Sequence, residues 1–261
     1  MKTLYLAWQD RGKTRQWFPI GRLDANLNKP LFTFGYLKGA ERANKEVGFQ
    51  PLSNFPDFHS KYESDELFPL FKNRVMDRGR SDFESYLQQL DLDPDLADPI
   101  TILEVSGGTR RTDNLEVFPK ISKNKKGEFC TRFFLKGWRY VNDYSKNRIQ
   151  QLNRKEKLQV SIEINNPATG LAVQLQTEKD YCMIGWTPRY LVNDLLECIA
   201  KNPLDISAEV VRVNPAPAPT QERVLIEMRG KWPKEYEPMN SPDFKEIWKM
   251  GHMEKLSFGH E

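Results

Sequence analysis

Arg139 and Tyr140 stand side by side in Lys136-Gly137-Trp138-Arg139-Tyr140, and the pair suits one kind of chemistry. A guanidinium can hold a phosphate through two parallel N–H donors, and a phenol ring offers a face on which a base can stack, worth roughly 1–3 kcal/mol per base. Arg189 follows Thr187-Pro188, where a Thr N-cap with Pro at the first helical position predicts a helix whose first amides would add to an anion site. Trp186 offers a second ring for stacking. Upstream, Lys123, Lys125 and Lys126 lie in a basic, polar stretch from 120 to 127 suited to phosphate contacts. That stretch reads as a linker or as the tip of a hairpin joining Val117 to Phe129. These residues bind, and none of them sits in a nucleophile–base arrangement, so no catalytic residue is assigned.

A second candidate is the loop Ser106-Gly107-Gly108-Thr109-Arg110-Arg111-Thr112-Asp113. Gly107 and Gly108, beside Arg110 and Arg111, could cradle a phosphate through backbone amides, and the arginines would then share a nucleic-acid phosphate with the later segment. The G-x-x-x-x-G-K-[ST] spacing of a nucleotide-hydrolysing loop is absent. A tight turn leading into the strand Leu115-Glu116-Val117-Phe118 explains the glycines at least as well. Cys130, Cys182 and Cys198 are odd in number and lack a C-x-x-C spacing, so they read as reduced thiols. His59, His252 and His260 are scattered, so neither a metal site nor a cofactor is expected.

The elements that must position these groups are legible from periodicity. In 158–164 the apolar Leu158, Val160, Ile162 and Ile164 alternate with Gln159, Ser161 and Glu163, the period of a half-buried strand. Asn165-Asn166-Pro167-Ala168-Thr169-Gly170 turns the chain, and Leu171, Val173 and Leu175 resume the alternation. A third apolar run, 181–186, leads into the helix that carries Leu191, Leu195, Leu196 and Ile199 on one face. Strands are expected at 208–213 and 223–228, separated by the Pro-rich Pro215-Ala216-Pro217-Ala218-Pro219. The expectation is a small β-barrel with a capping helix.

Three phrases of this segment, Lys136-Gly137-Trp138-Arg139-Tyr140, Asn165-Asn166-Pro167 and Ile184-Gly185-Trp186-Thr187-Pro188-Arg189, resemble in order and spacing the successive motifs of the HIRAN domain. The resemblance implies a compact barrel related to oligonucleotide-binding folds, which holds the 3′-hydroxyl end of single-stranded DNA and catalyses nothing. It would place Asn165 near the terminal nucleotide. The family's Asn-Pro is usually followed by Tyr-Asp, whereas Ala168-Thr169 stands here, so a stacking ring and a carboxylate for the terminal hydroxyl are missing.

The first 119 residues read as a separate α+β module: a hairpin around Asp10-Arg11-Gly12-Lys13, a strand at 31–36, a short helix at 40–47, a long helix at 65–78 and another helix beginning near Phe83. Ile20-Gly21-Arg22-Leu23, Phe34-Gly35-Tyr36, Gly48-Phe49-Gln50-Pro51-Leu52 and the run from Glu66 to Arg74 resemble the N-terminal subdomain of HipA-type kinases. That resemblance implies protein contact or regulation, as in toxin–antitoxin systems, and no kinase activity. The division expected is therefore 1–119, a HIRAN-like barrel at 120–232, and a tail at 233–261 in which Phe244, Ile247, Trp248 and Met250 would form a short docking helix before a frayed end.

A net charge of +3 does not by itself demand nucleic acid. Its distribution is more pointed, with seven acidic and no basic residues from 82 to 104, and twelve basic against three acidic from 120 to 157, a net of +9. No secretory signal is evident at the start, and no apolar run approaches the roughly 20 residues of a membrane span. The expectation is a cytoplasmic DNA-binding accessory protein, free of enzymatic activity, whose partners are single-stranded DNA or DNA ends and, through residues 1–119, a protein. The alternative is a regulatory protein-interaction module of a toxin–antitoxin or phage-defence system.

Overall fold

The computed structural model describes residues 1–248 and 253–257. It is a mixed α and β protein in two compact units. Met1–Phe83, Leu96–Lys120 and Met239–Glu261 make the first; Glu84–Asp95 and Ile121–Pro238 make the second. Relative to the linear division expected, Lys120 falls in the first unit, residues 233–238 of the expected tail fall in the second, and two longer segments also move. Residues 84–95 go with the second unit because Asn214 Nδ2 donates to Gln89 O at 3.0 Å and Asp91 takes ion pairs from Arg132 at 3.4 Å and Arg154 at 3.2 Å. The chain from 239 onward goes with the first unit, held by Arg42–Asp243 at 2.6 Å and Arg22–Glu246 at 2.9 Å.

The first unit is built on a six-stranded sheet. Its strands are β1 (Lys2–Gln9), β2 (Trp17–Asn26), β3 (Leu31–Tyr36), β4 (Lys61–Ser64), β5 (Leu115–Pro119) and β12 (Met253–Lys255). They lie in the order β12-β4-β3-β2-β1-β5, antiparallel except for β12 beside β4. The β1–β2 turn is the one anticipated: the Asp10 carboxylate accepts from the Gly12, Lys13 and Thr14 amides and from the Thr14 hydroxyl. Helix α1 (Lys38–Val47) comes close to β2, and a Cβ on Gly39 would collide with the Pro19 carbonyl. Aromatic rings fill the core: Phe34 stacks on Phe55 at 4.0 Å, and the buried Tyr36 hydroxyl donates to Phe55 O while accepting from Leu52 N.

Three expectations about this unit need correction. The long helix at 65–78 is only α2 (Pro69–Lys72), because Pro69 holds Phe68 in an extended conformation and the chain turns again so that Arg74 can reach Gly108 O at 2.8 Å and Asp113. The helix expected near Phe83 is α3 (Phe83–Gln89), and a helix that periodicity did not reveal, α4 (Pro99–Ser106), is capped by the Asp98 carboxylate on the Ile100 and Thr101 amides and closed by Gly107 in the left-handed region. Among the described residues, Phe244, Ile247 and Trp248 form no docking helix. Pro242–Phe244 makes one 3₁₀ turn, Lys38 N donates to Lys245 O and Ile247 N to Tyr36 O, and β12 extends the sheet. Met250 and the chain's last residues lie outside the described residues.

The second unit holds another six-stranded sheet, antiparallel throughout. Its strands are β6 (Glu128–Phe134), β7 (Lys157–Asn166), β8 (Gly170–Thr177), β9 (Met183–Trp186), β10 (Ser207–Val213) and β11 (Val224–Lys231), in the order β6-β11-β10-β7-β8-β9. Every strand read from alternation in 158–228 is present. The chain just beyond β6 meets the far edge strand at a bridge, Lys136 opposite Trp186. Helix α6 (Val192–Lys201) buries Val192, Leu195 and Cys198, and α5 (Asp143–Gln150), which periodicity did not reveal, is N-capped by Asn142. The anticipated Thr187 cap does not form: Pro188 opens a 3₁₀ turn, Arg189–Leu191, and α6 begins only at Val192.

The Arg74 side chain is 1% exposed. Asp113→Ala leaves its guanidinium buried without a counter-ion and costs about 3 kcal/mol, to be read as a lower urea midpoint at unchanged slope.

Candidate nucleic-acid interface

The bridge between Lys136 and Trp186 is where the site is built. Lys136 N donates to Trp186 O at 2.9 Å and Trp186 N to Lys136 O at 3.0 Å. The next residue must be glycine twice over: Gly137 has φ +68°, and a Cβ there would collide with the Trp186 ring. A single 3₁₀ turn, Trp138–Tyr140, follows. Within it Trp138 is the anchored ring, its Nε1 donating to Thr220 O at 2.8 Å with the Arg223 guanidinium 5.8 Å from its centroid. Arg139 and Tyr140 face solvent instead. The Arg139 guanidinium lies 4.8 Å from the Tyr140 centroid, Tyr140 is 72% exposed, and Arg139 has no ion pair among the described residues. A guanidinium resting on an exposed ring presents its N–H groups and the ring face to the same solution, the arrangement a phosphate and its base can use together.

The hairpin from β7 to β8 reaches the same place from the other side of the bridge. Asn165, at φ +60°, is the extra residue of a bulge between Ile164 and Asn166, and its side chain is exposed. Asn166 organises the loop: its Oδ1 accepts from Ala168 N at 3.0 Å, Thr169 N at 3.1 Å and Thr169 Oγ1 at 2.9 Å. Its Nδ2 donates to Glu163 Oε2 at 3.0 Å, and the same oxygen accepts from Trp186 Nε1. Trp186 is therefore gripped at its edge by Glu163 and crowded by Gly137, leaving a half-exposed ring. Sequence reasoning passed over Glu163 and Asn166. The available sign was that Glu163 is the one charged residue in 158–164, which otherwise alternates apolar with neutral polar groups.

Arg189 is half-buried at the start of its 3₁₀ turn, and burial lowers its pKa from the usual arginine value. The lysines do not join this cluster. Lys125 and Lys126 are exposed on a turn, closed by Gly127 N to Asn124 O, at the opposite end of β6 from Arg139. Nine residues from Glu128 to Lys136 put that turn about 25 Å away along the strand. Lys123 is committed elsewhere, to Tyr236 O at 3.0 Å and to Glu237. It lines a cleft of about 780 Å³ with Glu128, Cys130, Asp205, Arg229 and Lys231, a lining of mixed charge. Much of the basic run is likewise neutralised within the unit, Arg132 by Glu227 and Arg148 by Asp180 and Glu156.

The glycine loop belongs to the first unit and its glycine amides are already engaged. Gly107 N donates to Leu103 O at 3.1 Å and Gly108 N to Ser106 Oγ at 3.2 Å, so neither is left for a phosphate. Arg110 and Arg111 are exposed beside it. A tight turn accounts for the glycines, with Gly107 also serving as the C-cap of α4. Among the described residues no three His, Cys, Asp or Glu side chains form a group able to hold a metal, and no helix is long and apolar enough to cross a membrane. No protein-family model, no curated protein and no solved structure matches the chain.

One buried group in this unit was invisible to sequence patterning. Glu222 is 8% exposed, its Oε2 has no hydrogen-bond partner, and burial pushes its carboxyl up to about 7 against the pull of the Lys136 charge. A buried carboxyl holds its proton more tightly in the folded state than in the unfolded chain. Its stability is fully present below the ordinary value of 4.5 and is lost as pH rises through about 7. Glu222→Gln should therefore be more stable than the parent by up to roughly 3 kcal/mol at about pH 8, with no advantage below about pH 4. Urea titrations at three pH values measure this, and a pH-independent difference would rule out the ionisation as its cause.

Proposed function

We propose that the chain is a non-enzymatic nucleic-acid-binding protein whose second unit holds single-stranded DNA, or the single-stranded end of a duplex, against Arg139 and Tyr140. The observation that carries this reading is the solvent-facing Arg139–Tyr140 stack, 4.8 Å from guanidinium to ring centroid, on a turn whose neighbouring ring and backbone are fixed. Phosphate contact from Arg139 and base stacking on Tyr140, with Trp186 as a second and more confined surface, would supply affinity that tolerates any sequence. Arg189, half-buried three residues beyond Trp186, would add a positive charge. In the same reading the sheet is a small barrel, supported by the bridge at which the chain just beyond β6 meets β9. Capture of a free 3′ end, with Asn165 at the terminal nucleotide, is the finer form of the proposal, suited to DNA repair or phage defence in the cytoplasm.

A second reading, a regulatory protein-interaction module, is favoured by one observation. The loop residues Ala168 and Thr169, which stand where the HIRAN pattern has its Tyr-Asp, donate to Asn166 within the turn and supply neither a ring nor a carboxylate for a terminal nucleotide. A stoichiometric protein partner that survives nuclease treatment would mark that reading.

Both side chains of the leading site are exposed, so Arg139→Ala with Tyr140→Ala should leave the melting temperature unchanged while weakening single-stranded DNA binding at least about 10-fold. Fluorescence anisotropy with 3′-hydroxyl, 3′-phosphoryl, duplex and RNA oligonucleotides gives the comparison. Undiminished affinity in the folded double variant would move the site elsewhere, and equal binding of 3′-hydroxyl and 3′-phosphoryl strands would remove the end-capture form.

A further inference from the structure

Strand β7 is half unpartnered. Lys155 N donates to Val210 O at 2.7 Å and Val210 N to Glu156 O at 2.9 Å, while the paired register between β10 and β7 ends at Ala208 opposite Leu158. Antiparallel strands alternate the edge to which successive residues turn their N–H and C=O groups, so the even-numbered residues of β7 face the β10 side. Among the described residues no strand lies there beyond Leu158. Among the described residues, the outward backbone groups of Val160, Ile162 and Ile164 have no partner.

The side chains of that edge are apolar and uncovered. Ile162 is 44% exposed and Ile164 69%, and Leu171, paired with Ile164 across the hairpin, is 43% exposed. Natural sheet edges are usually defended by a lysine, a proline, a bulge or an inward charge. From Gln159 to Ile164 the only charge is Glu163, and it is turned to the other face and bound to Trp186 and Asn166. The bulge and Pro167 come only after the exposed stretch.

The order of side chains names the occupant. Val160-Ser161-Ile162-Glu163-Ile164 is apolar, polar, apolar, polar, apolar, the same in both directions about Ile162. We infer that this edge is a homodimer interface, in which two copies join antiparallel with Ile162 on the twofold axis and their sheets continue from one copy into the other. Ile162 then lies opposite Ile162 of the second copy, Val160 opposite its Ile164, and Glu163 opposite its Ser161, so aliphatic meets aliphatic and no two carboxylates face each other. The outward N–H and C=O groups of Val160, Ile162 and Ile164 find partners in the same step. The inference does not depend on nucleic-acid binding.

Sedimentation equilibrium of the full chain over a wide concentration range tests it, with a mass twice the 30.5 kDa of one chain expected. Ile162→Lys sets two ammonium groups opposite each other and should weaken the dimer by about 100-fold or more, as should Ile162→Glu. An equimolar mixture of the two variants should restore a mixed dimer. Ile164→Lys, at a more exposed position, repeats the test without a folding penalty. A parent chain monomeric throughout, including one that takes up an extended peptide at this edge, overturns the inference. So does a dimer indifferent to lysine at both positions, or a Lys/Glu mixture that stays monomeric.

Discussion

The second unit depends on two backbones approaching at Lys136 and Trp186. A β-bridge of two hydrogen bonds is worth only about 1 kcal/mol per bond in isolation. Its importance here is geometric, because it fixes the chain leaving β6 against the last strand of the sheet, and the turn bearing Arg139 and Tyr140 starts at the next residue. The approach excludes any side chain at Gly137, and it requires Trp186 to be held at its edge, which Glu163 does from a third strand. Three separate phrases of the sequence are thereby bound at one point. The exposed pair is rigid at its base and free at its tip.

Much of this framework could be read in the sequence where a local rule controls the outcome. The alternation in 158–164 and 171–175 identifies β7 and β8 because one face of each is buried, although the six-residue loop expected at 165–170 is only the three-residue turn 167–169, with Asn165 and Asn166 still in β7 and Gly170 opening β8. The rule failed where a distant residue decides. Apolar spacing in 65–78 looked helical, but the chain there is bent so that Arg74 can reach Asp113, thirty-nine positions on. Helix α4 carried its Asp-Pro start and Gly end in plain sight, and only the apolar continuity of Ile100, Ile102 and Leu103 hid its period. At the site, residue type pointed to Arg139 and Tyr140, while Asn166, Glu163 and Glu222 have roles set by burial and partner, which no spacing records.

Charge shows the same separation between composition and structure. The run from 120 to 157 carries a net of +9, yet its arginines at 132, 148 and 154 are spent on carboxylates of their own unit, one of them Asp91 from the acidic run. What is left is a few separate cations rather than a field, with Lys125 and Lys126 at the end of β6 away from Arg139 and Lys155 and Lys157 around the start of β7. An anionic polymer would meet local grips separated by a strand's length, so a short oligonucleotide would engage only one of them.

The closing of the first sheet by β12 has a consequence in time. The segment that pairs with Leu37 through Glu246, donates from Ile247 to Tyr36, presses Phe244 onto Tyr5 at 4.8 Å and adds the outermost strand follows the entire second unit in the chain. During synthesis the ribosome releases the first unit's strands β1 to β5 long before the piece that covers them. The nascent first unit must therefore wait, with β4 as a bare edge and the Tyr5 ring uncovered, while the second unit emerges and folds. Order of assembly is written into the topology: the domain begun first is finished last.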